Sequence, residues 1–199
     1  IEFYGVAKSI WEGGWIPPET NFALAAYIPK KGLARGDHGL QARPSEARPL
    51  MLKNSDTKVM CRLLAFSLMP ILKEWCHRSQ RGFIKDRMPG LGILDIDTAA
   101  RCIAVCHRLG LLGLFDFSAA FPSISRLFIL AVMAAARFPQ WMITLAAASW
   151  FGAKVVNDSG GVEYAMDDGV GQGCPSAAAL RHMGLTHCWS PSPDCACYM

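Results

Sequence analysis

Nowhere in these 199 residues is there an apolar run long enough to span a bilayer. A spanning helix needs about 20 consecutive apolar residues. The longest runs, Leu127 to Ala136 and Trp141 to Ala153, are shorter and are divided by Arg137, Pro139 and Gln140. They read as buried core helices, and no membrane partner is expected. No signal peptide is visible either, since Ile1 to Thr20 has neither a basic start nor an apolar core. No internal repeat is evident. The first residue is Ile rather than Met, as expected of a fragment or of a gene model without its start. Zinc-ligand spacing is also lacking. The cluster His182, His187, Cys188, Cys195 and Cys197 fits no zinc pattern, so no metal is expected there. The apolar settings of Cys61, Cys102 and Cys106 suit small buried thiols in a reducing compartment.

What is present is apolar mass. Hydrophobic residues make up 52% of the chain and mean hydropathy is +0.22, which argues against disorder over most of its length. The net charge of +4 conceals an asymmetry. Asn21 to Gly90 carries 13 Lys/Arg against 5 Asp/Glu, and the remainder carries 7 against 11. A basic lobe beside an acidic one suits a phosphate-rich ligand at the first and metal ions at the second. A solvated basic surface is the plainer alternative.

The spacing of apolar residues gives an order of elements. Residues 1–20 form a lead-in. Asn21 to Pro29 is expected as a strand, Gly36 to Glu46 as a polar loop, and Arg48 to Leu52 as the return strand. Asp56 opens a helix whose Met60, Leu63, Leu64, Leu68, Ile71 and Leu72 recur at helical spacing, with Pro70 bending or interrupting it. Gln80 to Met88 is a loop, and Asp95 caps a helix from Ile96 to Leu109. Leu111 to Phe117 is apolar, short and bounded by glycine and serine, which predicts a buried central strand. Ser123 or Ser125 caps a helix reaching Arg137, and Pro139 starts another to about Ser149. Ala153 to Val156 and Val162 to Ala165 flank Asn157-Asp158-Ser159-Gly160-Gly161 as a hairpin. Gln172 to Leu180 begins a last helix. From His182 onward no period is visible, and poor packing is expected.

One carboxylate, Asp116, stands at the end of the apolar run, in Asp116-Phe117-Ser118-Ala119-Ala120-Phe121. Alone it is as well read as a turn cap, and Phe121 as a core aromatic. Gln172-Gly173-Cys174-Pro175 alone is a loop entering a helix. In this order, however, the two stretches resemble the first and second palm motifs of non-LTR (LINE-type) reverse transcriptases. Further segments resemble that family: Ile28-Pro29-Lys30-Lys31-Gly32, Arg48-Pro49-Leu50 with Lys58, Gln80-Arg81-Gly82-Phe83-Ile84 with Arg87, and Phe138-Pro139-Gln140-Trp141. The resemblance spans roughly residues 15–181.

That resemblance implies an α+β fold: the fingers and partial palm of a right-hand polymerase. It implies a lead-in at 1–20, a fingers-like basic lobe at 21–110, a partial palm at 111–181 and an unrelated or disordered tail at 182–199. The implied activity is RNA-directed DNA synthesis in a mobile element, by two-metal nucleotidyl transfer with Mg2+. Asp116 would be the catalytic metal ligand, helped by the backbone of Phe117. Lys30, Lys31, Arg48, Phe121 and Gln172 would meet the nucleotide, with Phe121 as a gate against the ribose 2′-hydroxyl. Gly82, Arg87 and Gly173 would line the template. Partners would be an RNA template, a DNA primer and deoxynucleoside triphosphates, in the nucleus or cytoplasm. The chain departs from the family at Pro122, where Asp is common, and at Gly171, where Arg is usual. No Tyr/Phe-Ala-Asp-Asp turn follows Gln172 within the chain, and Asp167-Asp168 precedes it. One motif carboxylate cannot hold two metals, so the chain as it stands is expected to be inactive. The alternative is a non-catalytic nucleic-acid-binding remnant.

Overall fold

The computed structural model describes residues 5, 8–10, 12, 16–30, 35–36, 39–40, 46–107, 109–116 and 119–186. The fold is α+β. A 3-10 turn over Pro18–Asn21 leads into β1 (Ala23–Pro29). Short strands β2 (Arg35–Gly36) and β3 (Gly39–Leu40) pair with each other within the expected polar loop. β4 (Ala47–Lys53) returns along β1 in antiparallel register, with Ala23 opposite Lys53 and Ile28 opposite Arg48. Helices α1 (Ser55–Trp75), α2 (Pro89–His107), α3 (Arg126–Ala135) and α4 (Gln140–Ala148) follow. The hairpin β5 (Lys154–Val156) and β6 (Val162–Ala165) precedes α5 (Ala177–Thr186).

The main sheet runs β4-β1-β5-β6. β5 lies parallel to β1, with Ala23 opposite Val155, and antiparallel to β6. Strands from 21–53 and from 154–165 thus form one sheet. The core crosses the same divide. Met60, Leu64, Leu68 and Leu72 of α1 are buried with Ile129 and Met133 of α3, Leu145 and Ala146 of α4, and Leu180 and Met183 of α5. Asn21 joins sheet and helices, its amide donating to the carbonyls of Ala148 (2.6 Å) and Phe151 (2.8 Å) at the end of α4. Among the described residues no helix is long and apolar enough to cross a membrane.

Helix starts follow local chemistry with some shifts. Ser125 is the cap of α3, its hydroxyl accepting from the Phe128 amide. α1 begins after Asn54, whose amide instead reaches the carbonyls of Glu19 and Thr20, and Asp56 lies in the first turn. Pro70 does not interrupt α1. Core residues recur on both sides of it, and their packing outweighs one lost backbone bond. α2 begins at Pro89, well before Asp95, because proline at the first helical position forgoes an amide that has no partner there anyway.

Three expectations are corrected. The described part of the expected Leu111 to Phe117 strand, Leu111 to Asp116, forms no strand, and Leu111 is 98% exposed. An apolar run becomes a strand only where another strand offers its edge. Among the described residues none lies alongside. Cys102 and Cys106 are exposed, as are Ile93, Leu94 and Val105 of the same helix. The poorly packed tail does not begin at His182. His182 and Met183 are buried in α5, which runs to Thr186. Residues 187–199 lie outside the described ones.

Candidate active site

The segment 119–124 is docked against the turn that carries the second motif. The Val170 amide donates to the Phe121 carbonyl (2.9 Å) and the Gly169 amide to that of Ile124 (3.0 Å). Two residues on, the Gln172 carbonyl accepts from the Met51 amide of β4 (2.8 Å). One short stretch, 169–172, therefore ties the Phe121 segment to the strand that bears Arg48. Gly173 fits because its φ is +97° and a Cβ would stand 3.0 Å from both Leu50 Cδ1 and the Met51 carbonyl oxygen.

Arg126 locks the same turn from the other side. Its guanidinium donates to the carbonyls of Gly169 (2.8 Å) and Met166, and its amide donates to the Asp168 carboxylate (3.1 Å). The guanidinium also lies 5.7 Å from the Trp150 ring centre. Burial pushes the Arg126 pKa down, opposed by Asp168 and Asp167. Asp168 is thus engaged at the start of α3.

Phe121 is half-buried, and the Arg181 guanidinium sits 5.1 Å from its ring centre. Burial lowers the Arg181 pKa, and Asp116 is the charge that opposes the shift. Asp116 itself is exposed. Next along α5, His182 is 2% exposed. Its Nδ1 lies 3.0 Å from Gln80 Nε2, it hydrogen-bonds to the Gly82 backbone, and its ring centre is 6.3 Å from that of Phe83. Burial, helped by Arg181 and Arg87, holds the His182 pKa down at about 4, against the pull of Gly82. The imidazole is neutral at pH 7.

Phe121 and Gly82 are therefore gathered around Arg181 and His182, and the charge of Asp116 acts on Arg181. Gln172 and Gly173 sit instead against β4, through the Met51 amide bond and close packing on Leu50 and Met51. Arg48 is exposed on β4, and Lys30 is exposed just past β1, its amide donating to the Glu46 carbonyl (2.8 Å). Lys31 and Phe117 lie outside the described residues. Arg87 has a different setting. Its guanidinium donates to the carbonyls of His77 (2.7 Å), Gln80 (2.7 Å), Cys76 (2.9 Å) and Lys73, closing the end of α1. Arg87→Met is expected to lose about 2 kcal/mol in urea unfolding, because it strands several carbonyls at once. Unchanged stability with weakened RNA binding would instead place Arg87 on a template path.

No family model matches the chain, and no curated protein matches it.

Arg181 and His182 are the residues that sequence reasoning passed over. The signal was available, since Ala177-Ala178-Ala179-Leu180 is strongly helix-forming and nothing in Arg181-His182-Met183 stops it. By sequence alone the histidine reads as part of the downstream Cys/His cluster. Among the described residues no group of three or more His, Cys, Asp or Glu side chains converges as a metal site.

Proposed function

We propose that the chain is the fingers and partial palm of an RNA-directed DNA polymerase from a mobile element. These residues alone would bind nucleic acid without extending a primer. The observation that carries the reading is the stretch 169–172, which joins the Phe121–Ile124 segment to the strand bearing Arg48. A nucleotide site needs a gate ring, a carboxylate and phosphate-binding cations within reach of one another. Support also comes from the order of six motif-like segments along the sequence. The basic excess in residues 21–90 suits a polyanionic partner.

Magnesium belongs to this reading as the family's cofactor. Among the described residues no group of three or more His, Cys, Asp or Glu side chains is assembled, and the Asp116 charge acts on Arg181. No catalytic step is derived through a metal. What the residues do supply is a stacked cation and ring, Arg181 on Phe121. They also supply two exposed cations, Arg48 on β4 and Lys30 just past β1.

The test is fluorescence anisotropy with a DNA primer annealed to an RNA template, run alongside primer extension. Binding is expected at low salt, falling as salt rises, with a shallower salt dependence for Arg48→Glu. No extension is expected with any deoxynucleoside triphosphate in magnesium. Absence of binding at low salt, or binding untouched by Arg48→Glu, would remove the nucleic-acid reading. Extension would overturn the inactivity.

A further inference from the structure

α1 is apolar on two faces. One carries Met60, Leu64, Leu68 and Leu72 into the core. The other carries Val59, Leu63 and Phe66, one and two helical turns apart, and these are 52%, 53% and 65% exposed. With Lys58, Arg62 and Pro175 they line an open groove of about 430 Å³. Pro175 belongs to the turn before α5 and is the wall that α1 does not supply.

Positive charge borders the groove on one side. Lys58 and Arg62 each precede a residue of the apolar stripe by one position, so both flank it on the same side of the helix. The Arg62 guanidinium lies 5.0 Å from the Phe66 ring centre. Among the described residues neither cation forms an ion pair, and no carboxylate lines the groove. A contiguous apolar strip with unpaired cations along one edge is the profile of a surface that takes a partner.

We propose that this groove docks an acidic amphipathic helix of another protein. Val59 to Phe66 rises about 10 Å along α1, and a helix laid beside it presents its own apolar side chains at the same spacing. Asp or Glu flanking that apolar stripe would meet Lys58 and Arg62, as charged residues do beside a helix–helix seam. Other occupants fit less well. A second copy using the same face would bring Lys58 and Arg62 against their like, with no lining carboxylate between them. Single-stranded nucleic acid takes successive aromatic platforms. This groove has one ring, Phe66, and Arg62 is already stacked on it.

The experiment uses the full chain and a fluorescein-labelled synthetic peptide of about 18 residues, long enough to form a helix. The peptide has leucine at heptad positions a and d and glutamate at e and g. A second peptide replaces every glutamate by lysine, and a third scrambles the first. In anisotropy titrations the glutamate peptide is expected to bind, the lysine peptide to bind at least about tenfold more weakly, and the scrambled peptide not to bind. Leu63→Gln/Phe66→Gln is expected to weaken the glutamate peptide about tenfold or more. Both side chains are exposed, so the fold does not rest on them. Lys58→Glu/Arg62→Glu is expected to reverse the preference, lysine peptide over glutamate peptide.

Failure of the glutamate peptide to bind would overturn the proposal. So would equal affinity for the two charged peptides, or binding untouched by Leu63→Gln/Phe66→Gln. Single-stranded RNA whose binding is lost in that variant would give the groove to nucleic acid instead. A dimer in sedimentation velocity that the same variant dissociates would give it to a second copy. Primer–template binding by the variant should equal the parent's, because neither Leu63 nor Phe66 carries charge. The docking needs no nucleotide, metal or template, so it stands or falls separately from the polymerase reading.

Discussion

Replacing Gly169 by alanine is expected to cost about 4 kcal/mol of folding stability and to lower the melting temperature by roughly 10 °C. Gly169 has φ +78°, where an L side chain is strained by about 1–2 kcal/mol. The space is also taken. A Cβ would meet the Pro122 carbonyl oxygen, with Pro122 Cα at 2.6 Å and its carbonyl carbon at 2.8 Å. All three are backbone atoms, so no rotamer change relieves the clash. The 119–124 segment must move away, and the bonds Gly169 to Ile124 and Val170 to Phe121 weaken with it. Gly160→Ala is the control. Its φ is +81°, yet nothing lies within 4 Å of its added Cβ, so only the backbone strain of about 1–2 kcal/mol should appear. Thermal and urea unfolding of both variants would decide. Equal losses would mean that Pro122 is not packed on Gly169. The polymerase reading adds a second expected result: Gly169→Ala should weaken primer–template binding more than Gly160→Ala at a temperature where both are folded.

Acidification from pH 6.5 to pH 4 is expected to remove about 3 kcal/mol of stability through His182 alone. The sign follows from the shift. The native pKa is depressed to about 4 by burial, with Arg181 and Arg87 adding to it. The unfolded chain takes up the proton near pH 6.5. Between those values the unfolded state holds more protons than the native state, so stability falls as pH falls. Above pH 6.5 the imidazole is neutral in both states and has no such effect. His182→Gln should keep an amide within reach of Gln80 and Gly82 while removing the titration. Its stability curve should therefore be flatter between pH 6.5 and 4 than that of the parent. Carboxylates titrating at lower pH are common to both proteins and cancel in the comparison. Parallel curves would show that His182 is not buried as a neutral ring.

The elements that were legible in the sequence are those whose information is local. α1 declares itself by apolar residues at helical spacing, α3 by Ser125 ahead of its apolar run, and the β5–β6 hairpin by glycines between two apolar stretches. β1 and β4 are readable for the same reason, since a turn separates two short apolar segments. The candidate residues were chosen on their order along the chain, which a sequence carries completely. Their chemical surroundings were not, because Arg181 meets Phe121 only through the packing of α5.

What tertiary structure decided was partnership between elements not adjacent along the chain. The Leu111 to Asp116 stretch has strand composition, yet a strand also needs a neighbour's free amides and carbonyls, and composition says nothing of those. Pro70 looks like a break until the buried residues on both sides of it are seen to share one core. Arg87 reads as a surface cation until four carbonyls converge on its guanidinium. Periodicity and turn chemistry act over a few residues and can be read in order. Contacts across the core depend on how all the elements pack at once, so they exist only once the chain has folded.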